Sequence, residues 1–447
     1  MKKKLSVLLS FGLAMSLTAC SISLETGDET TTAAESSANA GESAAAEGSK
    51  PFDGVQIEVA DMYTGSQSEV FAQLVDKFEA ESGCEVQISE YGTDYENTLK
   101  TRMASQTLPD VFQTHGWSIL RYKEYLLDLR DEPWVSDYDE SALGVIQDDD
   151  GAIYVLMLSE VANGTLVNLD VCEAAGVDIY ELHTWADFEE ACQKIKDAGY
   201  TPIGSNPNAG LLANVAGTWV SYDGELAQDS EAILNGTYDW QSFVPLLQFS
   251  ARCLDNGYYF EDFATIQTTD TTERFVTNKA AFMIGNGVTM LQTCYNTNPE
   301  GNFAFLPSLA SKEGGQEFVG IGEGDTFGIW KDSPNIDAAK AFLEFMSRPE
   351  NAVALTDETG NIVCLKSSMD ISDNQGLAYF NTMKEKCADR NIRYENLWDR
   401  KYMPTGMWQI FGNAWNMLME DHSESGIEAV RTYLNENYTD LYEMSKE

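Results

Sequence analysis

The most constraining feature of this sequence is an alternation of strand-like and helix-like segments early in the chain. Residues 55–59 alternate apolar and polar side chains, which predicts a half-buried strand. Residues 71–78 repeat apolar side chains at the spacing of one helix face. The segments 86–88, 95–103 and 111–112 then repeat strand, helix and strand. This order predicts an α/β fold with a doubly wound parallel sheet.

The ends of these segments predict local details. We expect Ser66 or Ser68 to cap the first helix and Gly83 to end it. Ligands bind to doubly wound sheets beyond the carboxyl ends of the strands. The segments Asp61–Ser66 and Gln113–Trp117 lie at two such ends, so we expect ligand contacts there.

The pattern continues along the rest of the chain. Thr184 and Asp187 have the spacing of a capping box at the start of a helix. We predict further strands at 165–167, 280–284, 303–306 and 326–330, and helices at 211–222, 241–254 and 408–420.

Length and charge limit the class of protein. A chain of 447 residues exceeds what one hydrophobic core usually serves, so we expect two lobes. The formal net charge is −44, from 72 acidic against 28 basic side chains. This balance excludes nucleic acid as a partner and argues against polyanionic substrates, because phosphates require clustered Lys and Arg.

The N-terminus has the features of a lipoprotein signal peptide. Three lysines precede a short apolar run, Leu5–Leu17, which is too short for a comfortable membrane span. The run ends in Leu-Thr-Ala-Cys, which resembles a bacterial lipobox, so we predict a signal peptide over 1–20 and lipidation of Cys20. Two acyl chains would anchor the protein stably. Residues 21–50 are poor in apolar side chains and predict a disordered acidic tether.

The remaining side chains give little support for catalysis. Seven cysteines follow Cys20 without a CxxC pair, so we expect mostly buried thiols and no zinc cluster, although one or two disulfides stay open. HExxH, GxSxG and Walker A patterns are absent from the sequence, which holds three histidines. We therefore expect no enzyme activity, cofactor or metal. A secreted, lipid-anchored glycoside hydrolase stays open as the alternative, because two carboxylates suffice for that chemistry.

Several segments, in order, resemble extracellular solute-binding protein family 1, the carbohydrate ABC-importer receptors of the maltodextrin-binding type. The segments that carry the resemblance are Leu108–Val111, Gly151–Tyr154, Gly164–Asn168, His183–Phe188, Asn278–Gly287 and Asp325–Trp330. Together they span about residues 51–447. The sequence departs from the family near Gly360, where Asn361–Cys364 replaces a common Gly-Ile-Pro.

The resemblance implies a periplasmic-binding-protein-like (type II) fold, in which two discontinuous lobes enclose a ligand cleft. It places the first lobe at 51–160 plus about 300–340, and the second at about 165–290 plus 345–447. It also implies hinge crossings, which we expect near 160–166, 288–303 and 335–350. Ligand binding would favour the closed form of such a hinge.

The resemblance further implies a monomeric, lipid-anchored receptor on the extracellular side of the cell membrane. It would capture a mono- or oligosaccharide and deliver it to the permease subunits of an ABC importer; a sugar-sensing or adhesin protein is a further alternative. Sugar receptors stack aromatic rings on C–H faces and direct polar groups at hydroxyls. The residues that we expect to bind ligand are Tyr63, Gln113, His115, Trp117, Trp219, Asn286, Asp325 and Trp408.

Overall fold

A computed structural model describes residues 50–114, 122–138, 140–148, 150–205, 231–358, 360–396 and 402–446. The strands are β1 (Gln56–Asp61), β2 (Glu85–Glu90), β3 (Val111–Gln113), β4 (Leu156–Met157), β5 (Ser159–Asn168), β6 (Thr201–Ile203), β7 (Ala280–Gly287), β8 (Phe303–Leu306), β9 (Glu317–Glu323), β10 (Thr326–Ile329), β11 (Ile362–Val363) and β12 (Ile392–Asn396).

The α-helices lie between these strands and after them. They are α1 (Ser66–Ser82), α2 (Tyr95–Ser105), α3 (Glu140–Ile146), α4 (Leu169–Ala174), α5 (Trp185–Asp197), α6 (Val244–Asp255), α7 (Thr268–Val276), α8 (Thr289–Thr297), α9 (Ile336–Met346), α10 (Pro349–Thr356), α11 (Lys366–Met369), α12 (Gln375–Lys386), α13 (Met407–Glu420) and α14 (Glu424–Met444).

The first sheet has the strand order β2-β1-β3-β10-β4. Strand β1 pairs in parallel with β2 and with β3, so the parallel start predicted from the sequence is confirmed. Strand β10 then pairs antiparallel with both β3 and β4. The carboxyl ends of β1 and β3 therefore lie at the same edge of this sheet, beside the start of β10.

Helix α1 packs on this sheet through its predicted apolar face. Phe71, on that face, is 1% exposed and stacks on Phe327 of β10, with ring centroids 5.8 Å apart. Phe78 lies against Phe342 of α9, with centroids 5.2 Å apart. Burial of such large rings supplies roughly 1.5–3 kcal/mol each, so α1 and α9 are held firmly on the first sheet.

The prediction for helix α1 is correct at its C-terminal end and wrong at its N-terminal end. Gly83 has φ 78° and donates its backbone N–H to Glu79, which confirms the predicted glycine end. The predicted serine cap is wrong, because Gly65 occupies the cap position with φ 62° and Ser66 already begins the helix. Ser68 instead donates a 3.0 Å hydrogen bond to the Glu90 carboxylate.

The second sheet is centred on β5 and has the order β12-β9-β5-β7-β6, with β8 and β11 also paired to β5. Strands β8 and β9 lie in the 300–340 range that we expected in the first lobe and pair with β5 of the second sheet, whereas β10 of the same range belongs to the first sheet. A sequence pattern shows that a strand is buried but not which strand it pairs with. The division into lobes stays a prediction.

The chain crosses between the two sheets at three places. The chain passes from the first sheet to the second between Met157 and Ser159, and back between Glu323 and Thr326. It crosses again between α10, which packs on α1, and β11, which pairs with β5. The hinge crossings that we expect near 160–166, 288–303 and 335–350 stay predictions, and the first of these segments begins directly after the crossing between Met157 and Ser159.

The cysteines in the described ranges confirm the predicted thiols. All seven are buried, and none of them forms a disulfide with another described cysteine; they are Cys84, Cys172, Cys192, Cys253, Cys294, Cys364 and Cys387. Burial raises the pKa of Cys172 to about 12, which keeps this thiol protonated and unreactive at neutral pH.

Candidate ligand-binding site

Asp61 ends β1 at the edge of the first sheet, with its side chain 1% exposed. Its Oδ1 accepts a 2.8 Å hydrogen bond from the backbone N–H of Tyr63. Its Oδ2 has no hydrogen-bond partner among the described residues. Burial raises the pKa of Asp61 to about 6, and the nearby Glu90 carboxylate acts in the same direction. The Oδ2 is thus a buried acceptor without a hydrogen-bond partner among the described residues, at a strand end where we expected ligand contacts.

Tyr63, an expected ligand contact, lies two residues beyond this strand end. Its ring is 7% exposed and packs against Phe71 and Phe327, with centroids 5.2 and 6.2 Å away. Its hydroxyl lies beside the Asp325 carboxylate without a hydrogen bond of normal geometry. Burial and the Asp325 charge raise the pKa of the tyrosine well above its ordinary value. The hydroxyl, rather than a ring face, is therefore directed at the polar cluster.

Asp325, a second expected contact, lies in the crossing between β9 and β10 and is 4% exposed. Its Oδ2 accepts hydrogen bonds from Ser159 Oγ at 2.6 Å and Asn361 Nδ2 at 3.3 Å. Its Oδ1 accepts one from Gln67 Nε2 at 3.1 Å. Burial raises its pKa, against hydrogen bonds that favour the charged form. Both oxygens are therefore already engaged by the protein.

Gln113 is the last residue of β3 and is 3% exposed. Its Oε1 accepts a 2.7 Å hydrogen bond from the backbone N–H of Met62, and Tyr95 donates to its carbonyl oxygen at 2.7 Å. These bonds fix the loop after β1 against the end of β3. The structure thus brings Tyr63, Gln113 and Asp325 together at one edge of the first sheet.

Asn286 lies in the second sheet, near the end of β7, and is half-buried. It is opposite Gly164 of β5, and its Nδ2 donates to the carbonyl of Ile284 at 3.0 Å. Five residues of β5 separate Gly164 from Ser159, which is about 17 Å along a strand. Asn286 therefore lies away from the Asp325 cluster.

Trp408 lies in the first turn of α13 and is 38% exposed. Trp415, two turns later in the same helix, is 2% exposed and packs edge-on against Phe263. The exposed indole of Trp408 retains surface for a ligand, whereas that of Trp415 belongs to the core.

The other expected site residues lie outside the described residues. These are His115, Trp117, Trp219 and the lipidation residue Cys20. The predicted helix at 211–222 also lies there. Their roles stay predictions. Within the ranges that the structure covers, there is no group of three or more His, Cys, Asp or Glu side chains suited to hold a metal ion.

The sequence comparisons agree with this architecture. Residues 64–353 match the bacterial extracellular solute-binding protein family. The chain belongs to this family. The solute-binding family assignment confirms the resemblance found in the sequence, and the matched residues include strands β2 to β10 and the first two crossings.

Two relatives come from Bacillus subtilis strain 168 or its subspecies. The melibiose/raffinose/stachyose-binding protein MelE is 29% identical over 372 residues, which are 80% of this chain and 84% of MelE. A crystal structure of the binding protein MsmE, in an open conformation, has a TM-score of 0.76 and 28% identity, covering 88% of this chain and 98% of that one.

A third similar protein, known from a crystal structure, supports the fold assignment. The crystal structure of a sugar transporter protein from Bacillus licheniformis in complex with stachyose has a TM-score of 0.70 at 24% identity. The alignment covers 87% of this chain and all of that one. Together these structures confirm the predicted α/β, periplasmic-binding-protein-like (type II) fold of this solute-binding protein.

Three polar residues at this edge of the first sheet, Asp61, Ser159 and Asn361, are not among the individual ligand contacts expected from the sequence. Asp61 lies in a segment that was expected to bind ligand, but it was read as the end of a strand. Ser159 and Asn361 carried no signal, because their importance comes from contacts with a residue 166 and 36 positions away. A polar residue directly after a buried strand was the available signal for Asp61.

Proposed function

We propose that this chain is the sugar receptor of an ABC importer, which captures a mono- or oligosaccharide between its lobes and delivers it to the permease. The kinship with MelE over most of both chains carries this proposal. The geometry supports it, since polar strand ends lie beside the crossings between two sheets, where hinge closure would enclose a ligand.

The names of the relatives indicate which sugars to test first. MelE is named for melibiose, raffinose and stachyose, and the B. licheniformis protein was crystallised with stachyose. These sugars are uncharged and rich in hydroxyl groups. We propose that Asp61 Oδ2 accepts a sugar hydroxyl, and that Asn286 and Trp408 provide contacts from the second sheet and from α13.

The proposal is tested by thermal shift and calorimetry with melibiose, raffinose and stachyose, using maltose and glucose as comparison sugars. Ligand at 100 times Kd should add about 2.7 kcal/mol to the free energy of unfolding. We expect one site per chain and a clear preference within the first group. Absence of a shift with every sugar of the panel would contradict the proposal.

We also propose that binding involves no turnover, because the named relatives are binding proteins. The Asp325 oxygens are occupied by Ser159, Gln67 and Asn361, which leaves them poorly suited to general acid–base work. Prolonged incubation of the protein with raffinose or stachyose should return the sugar intact. Release of hexose from the sugar would support the glycoside hydrolase alternative instead.

We propose that the mature protein is a monomer anchored through lipid on Cys20, with its body outside the cell. The described part of the chain contains no helix that is long and apolar enough to cross a membrane. Native protein should partition with membranes, and Cys20→Ser should release it or leave it unprocessed. Mass spectrometry that finds an unmodified N-terminus at another residue would exclude the anchor, and light scattering tests the monomer.

A further inference from the structure

Three segments that connect the two sheets meet at one side chain, that of Asp325. Asp325 itself lies between β9 of the second sheet and β10 of the first. Ser159 begins β5 directly after the crossing from β4. Asn361 precedes β11 in the third crossing, and Gln67 adds a contact from α1 on the first sheet.

The hydrogen bonds at this point tie the crossings to one another. Ser159 Oγ donates to Asp325 Oδ2 at 2.6 Å and accepts from the Asp325 backbone N–H at 2.9 Å. The Leu158 N–H donates to the Asp325 carbonyl at 2.8 Å, and the Gly324 N–H donates to the Ser159 carbonyl at 2.8 Å. The first two crossings are thus joined by both backbone and side-chain bonds.

The side chains of Ser159 and Asn361 pack closely against Gly324 at this junction. A Cβ on Gly324 would lie 2.4 Å from Ser159 Oγ and 3.0 Å from Asn361 Nδ2. A contact of 2.4 Å essentially never occurs at a real Cβ atom, so a side chain at position 324 would force Ser159 Oγ away from its present position beside Asp325. The three crossings are therefore in direct contact around the carboxylate.

The Asp325 carboxylate is buried, and the donors on it are neutral groups. Separating any one of them would leave a buried charge with fewer hydrogen bonds, which is costly in a low-dielectric environment. A change in the angle between the sheets is therefore easiest when it leaves this junction intact. The junction has the properties of a pivot.

We infer that Asp325 is a positioning residue, which holds the three crossings together as a pivot for lobe closure and does not contact the bound sugar. This inference rests on the proposed function for its ligand. It differs from the ligand-binding role that we expected for Asp325 from the sequence.

The test uses the full chain with fluorophores on cysteines introduced at Lys100 of α2 and Lys194 of α5, both exposed. The variants are Asp325→Asn, Gln67→Ala and Asn361→Ala, with exposed Asp332→Asn as the matched control. Asparagine keeps the shape of Asp325 but places an NH2 group against neighbouring donors. Distances between the labels and raffinose affinity are measured below the melting temperature of each variant.

We expect Asp325→Asn to broaden or shift the label distances of the sugar-free protein and to weaken raffinose binding about tenfold, a usual size for conformational coupling. The distance in the saturated complex and the order of preference among sugars should stay unchanged. Gln67→Ala and Asn361→Ala should change the sugar-free distances and the raffinose affinity in the same direction, but by smaller amounts. Asp332→Asn should match wild type in both measurements.

Other outcomes overturn the inference. Weaker binding with unchanged sugar-free distances would make Asp325 a ligand contact, and a lower Tm with unchanged distances and affinity would make it a purely structural residue. If Asp325→Asn does not fold, the sugar-free label distances and the raffinose affinities of Gln67→Ala and Asn361→Ala test the inference instead. If wild type binds no sugar, the proposed function fails, whereas the sugar-free distances still test the pivot.

Discussion

At the scale of single residues, Asp61 is a buried carboxylate whose charged form destabilises the fold. Its pKa in the folded protein is about 6, above the ordinary value of 3.8, because the group is buried. Because the pKa is raised in the folded protein, the stability that protonated Asp61 contributes is fully present below about pH 4. It is lost as the pH rises through about 6. Two pKa units correspond to about 3 kcal/mol.

Asp61→Asn should therefore raise the free energy of unfolding above pH 6, by up to about 3 kcal/mol, and change it little at pH 4. The amide preserves the acceptor for the Tyr63 N–H and removes the buried charge. Chemical denaturation of both proteins across this pH range measures the difference, with Asp332→Asn as the exposed control. A constant difference at all pH values would show that the charge of Asp61 is not responsible. Raffinose affinity should fall if Oδ2 accepts a sugar hydroxyl.

Two tryptophans of α13 provide a matched pair. Trp408→Ala should weaken sugar binding by about 1–3 kcal/mol with little change in Tm, because this indole is 38% exposed. Trp415→Ala should instead lower the free energy of unfolding by about 3–5 kcal/mol, because that indole is 2% exposed. Calorimetry and thermal melts separate the two effects. Normal sugar affinity in Trp408→Ala would remove this residue from the site.

At the scale of elements, α5 begins at a capping box that the sequence predicted correctly. Thr184 Oγ1 accepts from the Asp187 N–H at 3.2 Å, and Asp187 Oδ2 accepts from the Thr184 N–H at 2.8 Å. The helix then buries Phe188 and Ile195 against the second sheet. Local hydrogen bonding of this kind can be predicted from the sequence, because both partners lie within one helical turn.

Thr184→Ala should lower the free energy of unfolding by about 1 kcal/mol, since the half-buried Asp187 N–H loses its acceptor. Thr184→Ser keeps the hydroxyl and should remain close to wild type. Urea denaturation measures both, and raffinose affinity should be unchanged in each. Equal stability of the alanine and wild-type proteins would mean that Asp187 alone stabilises this helix end.

At the scale of the whole molecule, the net charge of −44 separates classes of ligand. An uncharged sugar is not attracted by the electric field of these negative charges. Its affinity should therefore change by less than about twofold between 0.05 and 0.5 M NaCl. A cationic ligand would bind markedly less well at high salt, because added ions screen the attraction. Calorimetric titration of raffinose at several salt concentrations tests this expectation.

Much of the fold was determined by sequence patterns that act over short distances. The three parallel strands around β1, the buried face of α1, the Gly83 helix end and the buried cysteines follow from periodicity and residue size. Tertiary structure alone decided the pairing of β8 and β9 with β5, and the positions of the crossings. It also brought Asp325 together with Ser159 and Gln67, which are 166 and 258 residues distant in the chain. A local pattern specifies which side of an element is buried, but contacts over such separations depend on how all the elements pack together.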